Sequence, residues 1–457
     1  MGRNRDEVVE YLLGRCNYEK VPFPQYTEQR MPLARMRELL ARLGNPQVGL
    51  PVVHVAGTKG KGSTAAMLAA VLKEAGYRTG LYISPAMDRL EERICLDGQP
   101  MGELELVELM AEVRPVVEQI DAECPAGAGP TFFEILTALA FLYYQRQGVD
   151  LAVMEVGLGG RLDSTNVCHP VLCIITSISL DHQQQLGHTL SAIAAEKAGI
   201  IKPGVPIISG VTEAEPAQTI AQIAAQHGSP LKTRPADFDY QYTPPRNMAE
   251  IEAGPLCNLH CHTSQGTLHL SDVRLRLLGR HQAANASLVL AGVAELNLQG
   301  WHIPENAVRA GLWQVCWPGR LEVVSRSPTV VVDSAHNPAS AEVLLAALCE
   351  SFPAVHRVLV FAASRDKDYA GMLALLAPHF HHLILTRHAN APRSATPADL
   401  LASLPPDAPP ATLLPSPAAL PALLSTLTTP SSLVVITGSV FLAAETRHLF
   451  LPSLCTA

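Results

Sequence analysis

Residues 53–64 read Val-His-Val-Ala-Gly-Thr-Lys-Gly-Lys-Gly-Ser-Thr, and they restrict the fold more than any other stretch. A short apolar run, Val52 to Ala56, reads as a buried strand, and the apolar spacing from Ser63 to Ala75 reads as a helix ending at Gly76. A strand that feeds a glycine loop and then a helix is the opening unit of an α/β layer fold with a parallel sheet. Glycines let backbone N–H groups converge on phosphate oxygens without Cβ clashes. The helix N-terminus adds favourable partial charge. Lys61 would reach the terminal phosphates, and Ser63 or Thr64 would approach Mg2+. The loop departs from the usual phosphate-loop pattern, because two residues separate Gly57 from Gly60 and Gly62 follows Lys61 where a hydroxyl residue is usual.

The same rhythm continues along the chain. Arg78 to Ser84, Leu151 to Val156 and Val171 to Ser177 read as strands, and Phe132 to Gln147 as a buried helix. Residues 235–275 alternate and carry turn residues, as antiparallel strands do; they read as a β-rich appendage of the first domain. Asn285 to Leu296 returns to helix. Strands at Thr329 to Asp333, Val358 to Ala362, Leu383 to Thr386 and Leu433 to Thr437, with a helix at Ala339 to Cys349, restart the pattern. Residues 392–430 are rich in Pro, Ala, Ser and Thr, and their spaced leucines favour short helices that start at Pro. The expected division is 1–299 and 300–457. With 457 residues, 48% hydrophobic and 17% charged, the chain is no candidate for disorder. A net charge of −8 gives no support to non-specific binding of nucleic acid or an anionic membrane. No apolar run reaches the roughly 18 residues a membrane span needs. The ten cysteines are scattered, which points to a reducing cytoplasm and not to a disulfide scaffold. Cys257, His260, Cys261 and His262 are too cramped for a usual four-ligand zinc site, and alternation along a strand would send neighbours to opposite faces.

Further segments carry chemistry. Met154 to Asn166 reads MEVGLGGRLDSTN and puts Glu155 at a strand end, where a hard carboxylate oxygen suits Mg2+. Ser177 to His182 ends in Asp-His, and Glu196-Lys197-Ala198-Gly199 follows. Taken alone, Glu155 reads as a surface residue, His182 as a helix cap or base, and Lys197 as a solvated lysine. Thr131-Phe132-Phe133-Glu134 opens a helix; its two rings also read as core. GRHQAANA at 279–286, PGRLE at 318–322, DSAHNP at 333–338 and the loop at 361–369 complete the set. Together with GTKGKGST these segments resemble the folylpolyglutamate synthase/dihydrofolate synthase family of the Mur ligase superfamily, ATP-dependent amide ligases. The resemblance runs from about residue 33 to 440.

The resemblance implies a mostly parallel, P-loop-type ATPase domain with a small β-rich appendage, followed by a smaller Rossmann-like α/β domain. It implies ATP phosphates on Gly57, Thr58, Lys59, Gly60, Lys61, Gly62, Ser63 and Thr64, adenine on Asn285, and the nucleotide also on Arg320 and Asp333. It implies Mg2+ at two sites, with Ser84, Glu155 and His182 as ligands, and a monovalent cation such as K+. Lys197 would carry a CO2-derived carbamate, and Lys61, Lys197 and His336 would be catalytic. Thr131, Phe132, Leu162, Asp163 and Ser164 would line a pterin site. Two departures stand out: Ala86-Met87 replaces the family's His-Leu after Ser84-Pro85, and Ser334 replaces its common glycine. The implied protein is a cytoplasmic monomer that adds L-glutamate to dihydropteroate, tetrahydrofolate or both through an acyl phosphate. A nucleotide site shared by both domains implies closure that excludes water. Two alternatives stay open: a ligase acting on a cell-wall precursor, and a non-catalytic nucleotide-binding relative. AGTKGKGST and GGRLD favour the folate branch, and intact Lys61, Glu155, His182, Lys197 and His336 argue against a silent protein.

Overall fold

The computed structural model describes residues 4–18, 27, 32–125, 127–353, 356–388 and 393–451. Part of the segment at 23–47, which resembles the family's opening helix, therefore lies outside the described residues. The chain divides into two compact units: Met1–Gln241 with Cys257–Val273 and Gln282–Val315, and Tyr242–Leu256 with Arg274–His281 and Cys316–Ala457.

The first unit is built on an eight-stranded sheet. Its strands are β1 (Val52–Ala56), β2 (Thr79–Tyr82), β3 (Ile94–Leu96), β4 (Gln99–Pro100), β5 (Leu151–Glu155), β6 (Pro170–Ile175), β7 (Ile207–Ser209) and β8 (Leu231–Thr233), in the order β4-β3-β2-β5-β1-β6-β7-β8. The pairs from β2 to β8 are parallel, and β3 and β4 add an antiparallel edge. The central strands β1 and β5 are buried at every position, as near-continuous apolar runs in a covered parallel sheet must be. One core joins Leu39, Tyr82, Phe132, Phe141 and Met154. Another joins Ile175, Ile193, Ile207 and Ile220. Because β5, β1 and β6 are neighbours, the loops leaving their C-terminal ends meet in one crevice, where ligands of open α/β sheets bind.

The first unit extends past the expected boundary at 299 to Val315. The helix Glu305–Gln314 lies on the helix Lys61–Glu74, and a Cβ on Gly311 would come within 2.5 Å of Val71 Cα. Such close backbone approach makes those residues part of the first core. The appendage forms a three-stranded sheet from β9 (Phe238–Thr243), β10 (Leu256–Thr263) and β11 (Gly266–Arg274), with an unanticipated helix at Met248–Ala253 that Asn247 caps. No group of three or more His, Cys, Asp or Glu among the described residues is placed to hold a metal ion.

The second unit carries a six-stranded sheet: β12 (Glu322–Arg326), β13 (Thr329–Val332), β14 (Arg357–Phe361), β15 (His382–Leu385), β16 (Ala411–Leu413) and β17 (Leu433–Thr437), in the order β12-β13-β17-β14-β15-β16. Only β12–β13 pairs antiparallel. The Pro-rich stretch folds as helices Pro397–Ala402 and Leu420–Leu427, with Pro near each start, and as the edge strand β16, which its composition hid. No described helix is long and apolar enough to cross a membrane.

Candidate active site

The loop after β1 is held by the end of β6. Thr58 N–H donates to Ser177 O at 2.7 Å, and Lys59 N–H to Ser177 Oγ at 3.1 Å. The hydroxyls of Thr176 and Ser177 both donate to Lys59 O, at 2.6 and 3.0 Å. Two glycines are obligatory here. Gly57 has φ +147°, and a Cβ there would collide with the Thr176 hydroxyl; Gly60 has φ +84° and lies under Asn285 Oδ1. Asn285 thus packs on the loop, with its Nδ2 donating to Gln282 Oε1. Gln282 in turn reaches Ser63 Oγ at 3.4 Å. The Thr64 hydroxyl is buried without a hydrogen-bond partner among the described residues.

Charged groups gather around this loop. Lys59 Nζ pairs with Asp181 Oδ2 at 2.8 Å, and Lys61 Nζ stands 4.0 Å from Glu155 Oε1. Glu155 is only 4% exposed, and its Oε2 accepts the Ser84 N–H at 3.1 Å. Lys197 is equally buried, at the end of the helix Leu190–Ala198, and its Nζ donates to Gly57 O at 2.9 Å. Burial, reinforced by the Lys61 charge, pulls the Lys197 amine down to about 7. A pocket opens between Thr58 and Lys61 on one side and Gly157, Leu158 and Gly159 on another, with Asp181, His182 and Lys197 also on its wall. His182 is a left-handed N-cap with φ +48° and a half-exposed ring.

The pterin candidates are placed differently. Thr131 caps its helix, giving Glu134 both a backbone and a hydroxyl proton, while Glu134 pairs with Arg35 at 2.8 Å. Phe132, expected at the pterin, is 2% exposed in the core with Arg93 over its ring. The helical turn sends its neighbour Phe133 the other way, against Gly157 and Tyr82. Leu162 and Ser164 are buried as well. Asp163 spends its carboxylate internally: Oδ1 accepts from Thr165 N–H and Oγ1–H, and Oδ2 from Leu158 N–H. Burial pushes its carboxyl up, against those bonds.

In the second unit, Asp333 accepts Leu321 N–H and Ala335 N–H on its two oxygens, and burial raises its carboxyl while the Arg320 charge opposes. Arg320 donates to Gly319 O. His336 Nδ1–H donates to Ser334 O at 3.0 Å, which leaves Nε2 as its basic nitrogen. The Ser334 hydroxyl is buried without a hydrogen-bond partner among the described residues.

Residues 55–293 match the Mur ligase middle domain, and residues 319–440 the Mur ligase glutamate ligase domain. A dihydrofolate synthase/folylpolyglutamate synthase of Bacillus subtilis is 39% identical over 80% of this chain and 83% of its own length. The chain belongs to the folylpolyglutamate synthase/dihydrofolate synthase family of Mur ligases. A Mycobacterium tuberculosis folylpolyglutamate synthase complexed with ADP superposes with TM-score 0.85 at 32% identity, covering 98% of each chain. A folylpolyglutamate synthase complex with AMPPCP and folate gives 0.79 at 32% identity, over 98% of this chain and all of that one. This is an ATP-dependent ligase of that family.

Sequence reasoning missed four contributors here. Asp181 anchors Lys59, and the Thr176 and Ser177 hydroxyls fix the loop backbone. His54, buried on β1, bonds Thr165 Oγ1 at 2.8 Å. Its one visible signal was a polar residue inside VVHVA.

Proposed function

We propose that the chain joins L-glutamate to a folate-type carboxylate, that of dihydropteroate, the γ-carboxylate of tetrahydrofolate, or both. The observation that carries this reading is the buried Lys197 amine on Gly57 O, with Lys61 and Glu155 at the same loop. The acceptor carboxylate attacks the γ-phosphorus of ATP, the bond to the bridging oxygen breaks, and ADP leaves. The glutamate amine then attacks the acyl phosphate, loses its proton, and phosphate departs. Lys61 neutralises charge on the transferring group.

Glu155, Ser84 and His182 fit a divalent cation. A buried carboxylate facing a glycine-rich loop suits Mg2+, which usually takes one or two carboxylates and completes its shell with phosphates and water. Bound there, Mg2+ would supply charge neutralisation for phosphoryl transfer. Lys197 fits the proposed carbamate, since a buried amine pulled down to about 7 has the neutral form that CO2 requires, and Lys59 and Lys61 would balance the resulting anion. Asn285, Arg320 and Asp333 are proposed nucleotide contacts, and His336, basic at Nε2, a proposed partner of the reacting groups. Phe133 against Gly157, with Thr131 and the 162–164 turn, supports a pterin wall in which Phe132 is backing. The unit that runs to Val315 and the unit that holds Cys316–Ala457 are proposed as the ATP-binding and ligase domains of a cytoplasmic monomer. The described cysteines, all free thiols, fit a reducing compartment.

The test is ADP release with Mg2+-ATP and L-glutamate, comparing dihydropteroate, tetrahydrofolate and no acceptor, with products weighed by mass spectrometry. A product heavier by one glutamyl unit is expected. ATP binding without product from either acceptor would overturn the reading.

A further inference from the structure

The mechanism above leaves one buried polar chain unused. His54, Thr165, Asp163 and Cys168 are each at most 1% exposed, yet they bond one another in sequence. Thr165 has one hydroxyl proton, and it goes to Asp163 Oδ1 at 2.5 Å. The hydroxyl must then accept from His54 Nε2 at 2.8 Å, so the ring carries its proton on Nε2. Nδ1, left as an acceptor, faces the Cys168 thiol at 3.7 Å. Burial, with the Lys202 charge adding to it, lowers His54 to about 3, so the ring stays neutral and the direction of donation is fixed. At the far end, Asp163 Oδ2 takes the Leu158 N–H at 3.0 Å. The chain therefore starts on β1 and ends on the backbone that lines the pocket beside Lys197.

We propose that His54 is a positioning residue for the acceptor: through Thr165 and Asp163 it holds residues 157–160 as the pocket wall that the acceptor meets. The inference rests on the ligase reading of this pocket. The phosphate loop has its own anchors in Thr176, Ser177 and Asn285, so the relay serves the opposite wall and not the nucleotide. A buried histidine with both nitrogens satisfied would ordinarily count as core packing. Here its last link is a backbone N–H of the substrate crevice.

Thr165→Val keeps the volume and removes the hydroxyl. Amide exchange at 157–163 should accelerate about tenfold, and the acceptor KM should rise about tenfold with kcat little changed, because Asp163 loses its hydroxyl donor and His54 its acceptor. Exchange at 58–64 and the calorimetric Kd for ADP should stay within about twofold. Thr165→Ser, which restores the hydroxyl, should bring both readouts back. Should the valine variant not fold, Thr165→Ala is read the same way. Wild-type exchange at 157–163 in the hydroxyl-free variant would overturn the relay, as would equal losses for ADP and acceptor, or no rescue by serine. If the wild-type protein makes no glutamyl product, the ligase reading falls, while the exchange comparison still decides whether the relay holds the wall.

Discussion

Glu155 and Asp163 belong to one motif and are both nearly sealed from water, but their surroundings differ. Asp163 is ringed by N–H and O–H donors from its own turn, Thr165 and Leu158. Glu155 accepts the Ser84 N–H and faces the Lys61 ammonium 4.0 Å away, at the loop after β1. A carboxylate whose lone pairs are filled by its own loop shapes backbone. One that faces a phosphate loop with a mobile countercharge can exchange that charge for a ligand. Asp333 of the second unit resembles Asp163 in this respect, with a backbone N–H on each oxygen. Motif membership does not separate these jobs, whereas what each carboxylate faces does: donors of its own turn for Asp163, the Lys61 ammonium for Glu155.

The sharpest break of this contrast comes from the phosphate side. Lys61→Ala should lower kcat by about 10³-fold, because it removes the charge proposed to neutralise the transferring phosphoryl group. Circular dichroism and the melting temperature should be unchanged, since Lys61 fills no core. Glu155→Gln should follow with a loss of about 10²-fold in kcat and no fall in melting temperature. A large stability loss there would move Glu155 into the class of Asp163.

Lys197 tests the same crevice by pH. Its folded-state value near 7 lies below the 10.5 of an unfolded lysine, so the native state resists the proton. The resulting penalty is full below about pH 7 and disappears as pH rises toward 10.5. Lys197→Met should therefore stabilise the protein most below pH 7, with the gain shrinking across that window, while kcat drops about 10²-fold. In the native enzyme, activity should climb as the neutral amine appears, and removing bicarbonate should lower it. Equal melting temperatures for variant and native protein at all pH values would contradict the buried-amine reading.

Asp163→Asn should reverse the pattern of Glu155→Gln. It leaves buried donors facing an amide and should cost about 1–3 kcal/mol of stability, measured by urea unfolding. Its kinetic signature should be a raised acceptor KM.

These differences also mark what the sequence could disclose. The unit from β1 to the helix Lys61–Glu74 was legible because glycine, lysine and apolar spacing each have a local cause. Glu155, Lys197 and His182 were legible only as parts of a resemblance, for burial of Lys197 comes from packing against the distant Gly57 loop. The role of His54, a lone polar residue in VVHVA, was hidden because its partner Thr165 lies 111 residues away. The helix Met248–Ala253 and the strand β16 were hidden by short length and by composition that favours turns. The boundary at 299 missed the helix Glu305–Gln314, whose place is set by the fit of Gly311 onto Val71.

The two adjacent phenylalanines give the finest version of the comparison, since one helix start sends one ring inward and the other toward the site. Phe132 lies in the core under the Arg93 guanidinium, 5.3 Å from its ring centroid. Phe132→Leu should lower stability by about 1–2 kcal/mol through an imperfectly filled space, with the acceptor KM unchanged. Phe133 touches Gly157 at the pocket wall, so Phe133→Leu should cost less stability and raise the acceptor KM about threefold. A raised KM from the Phe132 variant alone would mean that the core ring turns outward when the acceptor binds, and would return Phe132 to the pterin wall.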